Sequence, residues 1–280
     1  MKKLLARIFV VILIIAGCMI SSKINAEETG SWKQLLQIRI PHSTTAAGFI
    51  SGSHGITVGL NGECHYTLDS GKTWPRAENN SACRFGLDIV DEKIMWNCGN
   101  GANVRFSTDG GKVWKEVADC GVNGQFISFI NDRTGWVAQN NKLASTHDAG
   151  TTWTNIEIPI QSIVAITLVS ENSGILVDES LNLYLTNNDG KNWVTQKANI
   201  NDQLLYPAIR FTDSNHGIIV GFSTTIKMEV AYLTADGGKT WKQEKIVSLL
   251  GAPYLTRDGK VLTLYNDFKN EIVVLRREAN

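Results

Sequence analysis

The sequence is poor in proline and cysteine and has no excess of charge of either sign. Its 280 residues include only 5 prolines and 5 cysteines but 25 glycines, which indicates many tight turns rather than disordered linkers. Lys+Arg and Asp+Glu both number 27. A chain without a basic excess lacks the charge needed to neutralise phosphates, so we expect no nucleic-acid partner.

The sequence also lacks the short motifs of common enzyme classes. It contains no Gly-x-Ser-x-Gly, no His-Glu-x-x-His and no phosphate-binding glycine loop. Its 5 histidines are scattered, and none lies at zinc-ligand spacing from a pair of cysteines. We therefore expect no metal site, no cofactor and no catalytic residues.

A single apolar run near the N-terminus, residues 8–17, follows three basic residues and is too short for a permanent membrane span. Residues 1–26 are therefore predicted to be an export signal, and residues 27–280 a single mature domain. Two cleavage sites are open. Ile15-Ala16-Gly17-Cys18 resembles a lipobox, in which Cys18 is lipidated, whereas an ordinary signal peptidase would cut after Ala26. We expect a protein of the bacterial cell envelope, either lipid-anchored at Cys18 or soluble in the periplasm or secreted.

An eight-residue pattern, Ser/Thr-x-Asp-x-Gly-x-Thr-Trp, recurs five times, at residues 67–74, 107–114, 146–153, 186–193 and 234–241. An Asp two residues before a Gly predicts a turn whose carboxylate accepts backbone N–H bonds and whose glycine has positive φ. The Trp would pack back over the hairpin. Because the same residues recur in every copy, we interpret this Asp-turn motif as structural rather than catalytic. Its Asp, Gly and Trp positions are Asp69, Gly71, Trp74, Asp109, Gly111, Trp114, Asp148, Gly150, Trp153, Asn188 (in place of Asp), Gly190, Trp193, Asp236, Gly238 and Trp241.

The spacing of the motif predicts the architecture. Successive motif tryptophans lie 40, 39, 40 and 48 residues apart, and about 40 residues is the length of one four-stranded propeller blade. Trp32 precedes a strand pattern at Lys33–Ile40, and the last 39 residues contain strand patterns without a sixth motif. The sequence therefore predicts an all-β, six-bladed β-propeller whose N-terminal strand closes the last blade, with seven blades as the alternative.

The Asp-turn motif resembles the Asp-box, or BNR, repeat. The pattern around it, especially Phe129 to Gly135-Trp136-Val137, is similar to the photosystem II stability/assembly factor family and its non-photosynthetic bacterial relatives. The resemblance covers roughly residues 30–280 and implies a β-propeller fold. Since this fold hosts both binding proteins and glycosidases, the resemblance leaves both classes of function open.

Four cysteines follow Cys18, and an even number in an exported chain favours disulfides. All four are expected near one face of the first two blades. Pairing Cys83 with Cys98 would leave the other two separated, so Cys64–Cys83 with Cys98–Cys120 is the preferred arrangement. Four buried thiols are the alternative.

A sialidase-type glycosidase is the enzymatic alternative. Arg39 stands in Arg-Ile-Pro, a tripeptide that resembles the one supplying the first arginine of the sialidase carboxylate-binding triad. Tyr254 or Tyr265 would then be the candidate nucleophile. However, no other arginine stands in a matching motif, and the short blades leave little chain to build a deep substrate pocket.

A binding role fits better than catalysis. Propeller ligands commonly bind at the face with the connections between blades, and the longest of these are expected at Ala198–Tyr206 and Phe222–Met228. The candidate binding residues on this face are Asn100, Asn123, Tyr206, Phe222 and Lys227. The expected partner is another envelope protein or a surface glycan. Membrane contact is expected only through the possible lipid anchor.

Overall fold

The structure is a computed structural model that describes residues 32–41, 43–59, 61–79, 85–99, 103–246, 254–266 and 270–277. These residues form twenty-three β-strands in six antiparallel sheets. None of them lies in a helix, so none forms a helix that could span a membrane. The predicted export signal, with Cys18, lies outside the described residues.

Each sheet is one blade, and its strands follow chain order from the axis outwards, except that the N-terminal strand is the outermost strand of the last blade. Blade one contains β2 (Ala46–Phe49), β3 (Gly55–Val58) and β4 (Cys64–Thr67). Blade two contains β5 (Gly86–Ile89), β6 (Met95–Cys98), β7 (Val104–Ser107) and β8 (Lys115–Glu116). Blade three contains β9 (Phe126–Phe129), β10 (Gly135–Gln139), β11 (Lys142–Thr146) and β12 (Thr154–Ile156).

The second half of the ring has longer strands. Blade four contains β13 (Ile163–Leu168), β14 (Gly174–Asp178), β15 (Asn182–Thr186) and β16 (Val194–Lys197). Blade five contains β17 (Leu204–Phe211), β18 (Gly217–Ser223), β19 (Met228–Thr234) and β20 (Lys242–Lys245). Blade six contains β21 (Tyr254–Leu255), β22 (Val261–Asn266), β23 (Glu271–Arg277) and, as its outermost strand, β1 (Trp32–Arg39).

The blades form a closed ring. The innermost strands contact one another in the cyclic order β2, β5, β9, β13, β17, β21 and back to β2. The N-terminal strand β1 pairs with β23 from Trp32 opposite Arg277 to Arg39 opposite Glu271, and the Trp32 side chain is buried. The prediction of six blades closed by the N-terminal strand is therefore confirmed, and the seven-bladed alternative is wrong.

Blade one departs from the predicted four strands. Pro75 follows the motif Trp74 and has no N–H to donate, so a regular fourth strand does not form. The segment instead makes an isolated bridge between Arg76 and His65, and then a parallel bridge from Glu78 to Val113 of blade two. This segment thereby joins the first two blades at their outer edge.

The Asp-turn motifs have the same pattern of hydrogen bonds. In blade three, Asp148 accepts bonds from the Thr152 N–H (2.9 Å) and hydroxyl (2.7 Å) and from the Thr146 hydroxyl (2.9 Å). Those bonds from Thr152 lower the pKa of Asp148 to about 2. In blade four, Asn188 accepts the corresponding bonds from Thr186 and Asn192. The turns are thus built alike whether a carboxylate or an amide accepts.

The motif glycine and tryptophan tie the blade together. Gly150 has φ +73°, and a Cβ there would lie 2.7 Å from a methyl carbon of Val117 in the preceding blade. Trp153 packs edge-on against Phe129, at the end of the same blade's inner strand, with ring centroids 6.4 Å apart. The motif therefore fixes both the hairpin and its contact with the neighbouring blade.

Candidate functional site

The two faces of the ring differ in what they carry. The Asp-turn motifs bond to the turns between the first and second strands, for example the Ala149 N–H to the Arg133 carbonyl at 3.0 Å. These turns form the motif face. The opposite, loop-bearing face carries the connections between blades, such as residues 157–162 and 198–203, and the turns between second and third strands, such as 179–181 and 224–227.

The predicted binding residues that the structure describes lie in two parts of the ring. Phe222 and Lys227 lie in blade five, whereas Asn123 lies in the connection between blades two and three. Tyr206 lies within β17, and Asn100 lies outside the described residues.

The most prominent feature of this face is a ledge formed by blade five. The predicted loops at 198–206 and 222–228 are shorter than expected, because most of their extra length lies in strands. Strands β17, β18 and β19 have 8, 7 and 7 residues, against 6, 5 and 5 in β13, β14 and β15 of the neighbouring blade four. Two extra residues extend a strand by about 7 Å. The blade-five ledge, defined as Leu204, Leu205 and residues 222–229, therefore projects beyond blade four.

The ledge exposes apolar side chains. Ile226 at its tip is 44% exposed, and Leu204, Leu205, Phe222 and Met228 are half-buried. Apolar side chains grouped on a projecting element are typical of a contact surface rather than of scattered surface residues. This surface is where the geometry supports binding.

Polar bonds inside blade five hold the ledge in place. Asp202, in the connection from blade four, accepts bonds from the Thr225 hydroxyl (2.9 Å) and the Tyr232 hydroxyl (3.1 Å). Burial alone would raise the pKa of Asp202, but hydrogen bonds from Ser223, Thr225 and Tyr232 lower it. Burial and the Asp202 carboxylate raise the pKa of Tyr232 to about 12. The ledge is thus anchored at Asp202 by a partly exposed hydrogen-bond network.

A charged cluster closes the central channel near the motif face. Arg210 of blade five forms a 2.7 Å ion pair with Asp88 of blade two, whose side chain is fully buried. Arg257 of blade six donates to the Phe129 carbonyl of blade three and, at 3.1 Å, to the Leu168 carbonyl of blade four. Burial alone would lower the pKa of Arg210, but the Asp88 carboxylate raises it, so Arg210 keeps its charge.

The same cluster satisfies the inner strands' unpaired backbone groups. The innermost strand of each blade has one edge without a strand partner, and its N–H groups need acceptors. Asp88 of blade two accepts a hydrogen bond from the Phe129 N–H of blade three at 2.6 Å. Ser128 of blade three accepts one from the Leu168 N–H of blade four at 3.0 Å. Tyr254 passes over Gly48, which leaves space for its ring, and accepts from the Ile89 N–H at 2.8 Å.

The sequence did not single out this cluster. Neither Arg210 nor Arg257 stands in a recognisable motif. A charged residue on a short, otherwise apolar strand such as Gly86–Ile89 is the one available hint, because buried charges require a partner.

The sialidase-like arrangement is not formed. Arg39 is exposed on β1, the outermost strand of blade six, opposite Glu271. Arg210 and Arg257 lie at the axis, so the three arginines do not converge. The Tyr254 hydroxyl bonds to the Ile89 backbone, and burial raises its pKa. Tyr265 is also buried and accepts from the Thr44 N–H. Within the described residues neither tyrosine is placed as an accessible nucleophile.

The predicted Cys98–Cys120 disulfide is not present in the structure. Both side chains are buried thiols in the cluster between blades two and three, where the Cys120 thiol donates to the Val122 carbonyl at 3.1 Å. Cysteine fills such a position as a small apolar residue, and burial raises the pKa of Cys120. Cys64 is buried in blade one. Cys83 lies outside the described residues, so the pairing with Cys64 stays a prediction.

The described residues contain no group of three or more His, Cys, Asp or Glu side chains that could hold a metal ion.

Comparison with known proteins agrees with the fold. Residues 141–248, less than half of the chain, match the family model described as Sortilin-Vps10 (Sortilin, neurotensin receptor 3). No curated protein matches the sequence. A solved structure of YCF48 bound to D1 peptide is similar with TM-score 0.58 and 15% identity, over 92% of this chain and 100% of that one. The structure of YCF48 from Cyanidioschyzon merolae is similar with TM-score 0.53 and 15% identity, over 88% of this chain and 98% of that one.

A propeller of another kind is equally similar. The WD40 β-propeller domain of Doa1 gives TM-score 0.58 at 10% identity, over 89% of this chain and 98% of that chain. At these identities the similarity concerns the fold alone.

Proposed function

We propose that this chain is a non-catalytic, exported binding or assembly protein that holds a segment of a partner protein on its loop-bearing face, at the blade-five ledge. The observation that carries the proposal is the ledge itself, which projects beyond blade four, is anchored at Asp202 and exposes Ile226 at its tip. The resemblance to the photosystem II stability/assembly factor family supports an assembly role.

A protein partner is preferred over a surface glycan. Ile226 at the tip of the ledge is exposed between Thr225 and Lys227, and its aliphatic side chain suits burial against another protein. One structure with the same fold is that of YCF48 bound to D1 peptide, so this architecture accommodates a peptide in at least one protein.

Site-specific photo-crosslinking in the native envelope tests the proposal. A photoreactive amino acid replaces Ile226 in one variant and, as the matched control, Val194, which is 69% exposed at the start of the outer strand β16. We expect one discrete adduct from position 226 and none from 194. Ile226→Asp should abolish co-purification of that partner, whereas Val194→Asp should not. Equal adducts from both positions would contradict the ledge as the binding surface.

The enzymatic alternative is tested by turnover of a fluorogenic sialoside and a panel of aryl glycosides. The proposal expects none. Turnover that is lost in Arg39→Ala, with circular dichroism unchanged, would replace binding by hydrolysis as the function.

Export and lipidation are part of the same proposal. Residues 1–26 act as the export signal, residues 27–280 form the mature propeller domain, and cleavage before Cys18 would anchor it. Cys18→Ser should then release the protein from the membrane fraction. A mature N-terminus at Glu27 with unchanged fractionation would instead assign the cleavage to the ordinary signal peptidase.

A further inference from the structure

A small groove opens on the loop-bearing face at blade four, the blade that precedes blade five in the ring. It has a volume of about 250 Å³ and lies between the connection from blade three and the β14–β15 turn of blade four. Pro159 and Ile160 form an apolar wall, and Asp178, Glu179 and Tyr184 line the other side. The connection that leads on to the ledge begins against this turn, with the Ala198 N–H bonded to the Leu181 carbonyl at 3.1 Å.

The two carboxylates in the groove differ in the number of hydrogen bonds that they accept. Asp178 accepts bonds from the Ser180 and Asn182 N–H groups, the Asn182 amide and the Tyr184 hydroxyl, at 2.8–3.1 Å. It therefore fixes the turn and the tyrosine. Glu179 accepts one side-chain bond, from the Ser162 hydroxyl at 3.1 Å, and is exposed. Glu179 is thus oriented but retains capacity to accept further hydrogen bonds.

We propose that this groove binds an arginine or lysine side chain of the partner protein, with its charged head at Glu179. The inference rests on the proposed function, which supplies a protein segment on the neighbouring ledge. It adds the chemistry of that segment, namely a basic residue beside apolar ones.

Charge and shape both select a basic side chain. Among the residues that the structure describes, two carboxylates and no Lys, Arg or His line the groove. Lys197 pairs with Asn182 in the adjacent ladder but does not line the groove. The apolar wall suits the methylene stem of a long basic residue. The volume is below that of a drug-sized pocket and matches a single side chain.

The test uses a charged probe and its neutral isostere on the isolated mature protein. N-acetyl-arginine methylamide and the citrulline analogue, which has the same shape without the charge, are titrated into ¹⁵N-labelled protein. We expect saturable shifts of the Ser162, Glu179 and Ser180 amide signals with the arginine probe and none with citrulline. Added salt should weaken the binding, because the attraction is between exposed charges.

Glu179→Gln is the informative variant, because the amide oxygen still accepts from Ser162 while the charge is lost. We expect about tenfold weaker binding of the arginine probe, since a charge-assisted hydrogen bond is lost. Glu157→Gln, which alters another exposed acid in the preceding connection, is the control and should bind as the wild type does.

Equal shifts with arginine and citrulline, or unchanged arginine binding in Glu179→Gln, would overturn the proposal. Because the probe reads the groove alone, its result is separate from the crosslinking experiment. Groove binding without an adduct at position 226 would refute the ledge and leave the groove standing. An adduct at position 226 without groove binding would support the ledge and refute the groove.

Discussion

Replacement of Arg210 by methionine should destabilise the propeller by about 3 kcal/mol. Removing one partner of a buried ion pair typically costs about 3–5 kcal/mol, because the other charge is left in the interior. Here Asp88 keeps a second cation, since the Arg257 guanidinium lies 3.8 Å from its other oxygen. At an effective dielectric constant of about 20, two unit charges attract by about 6 kcal/mol at the 2.7 Å of the Arg210 pair and by about 4 kcal/mol at 3.8 Å. Much of the compensation for Asp88 therefore survives, which places the expected cost at the lower end of the range.

Equilibrium urea unfolding of the mature domain, followed by circular dichroism and tryptophan fluorescence, measures this cost. For a domain of this size, about 3 kcal/mol corresponds to a melting temperature lower by roughly 6–12 °C. Arg133→Met is the control, because Arg133 is exposed on the motif face, and it should change stability by less than about 0.5 kcal/mol.

A double-mutant cycle separates the pair from its surroundings. Asp88→Asn should cost about 3–5 kcal/mol, since both guanidinium groups then lack their carboxylate. The double variant should cost less than the sum of the two single variants by about 1–3 kcal/mol. Additive costs, or a loss in Arg210→Met no larger than in Arg133→Met, would refute the claim that the cluster holds the ring across its axis.

Three further predictions concern the Asp-turn motifs. Trp114→Ala should cost about 3–5 kcal/mol in urea unfolding as a large-to-small change at a buried ring, whereas Asp109→Ala should cost about 0.5–2 kcal/mol as a lost turn cap. If Asp109→Ala abolished a binding activity without changing the stability, the structural interpretation of the motif would be contradicted. Gly150→Ala should lower the stability by about 1–3 kcal/mol. The cost should exceed that of Gly121→Ala, because Gly121 has a similar φ of +69° but no close neighbour. Equal costs for the two variants would mean that the contact of residue 150 with Val117 is unimportant. Hydrogen bonds from the motif threonines lower the pKa of three aspartates to about 2. The stability that these carboxylates contribute is therefore complete above about pH 4 and is lost as the pH falls towards 2. A urea midpoint that does not decrease when the pH is lowered from about 4 to about 2 would contradict this. These aspartates are Asp69, Asp148 and Asp236.

The ring and its number of blades were predictable because each blade repeats a local pattern. A Thr-x-Asp-x-Gly-x-Thr-Trp turn forms from bonds within eight residues, so its sequence carries its geometry. The spacing of those turns then counts the blades, and the missing sixth motif indicated that Lys33–Ile40 completes the last one. The four-stranded form of blade one was the exception, because Pro75 withholds the N–H that a fourth strand requires.

The loops were harder to predict than the repeats. The extra residues of blade five were expected as loops, but β17 to β19 pair through most of them. Sequence length shows that a blade is larger, whereas strand pairing decides whether the extra residues form a loop or a projecting ledge. The cysteines follow the same rule: their even number favoured a disulfide, and packing placed Cys98 and Cys120 as small buried side chains instead.

By itself, the sequence determined what depends on neighbouring residues: the turns, the strand alternation and the blade repeat. The tertiary structure alone decided what depends on closing the ring. Asp88 and Arg210 are 122 residues apart and meet because the inner strands of blades two and five face the same axis. No local pattern encodes such contacts, because each side chain's partner is set by the position of another blade.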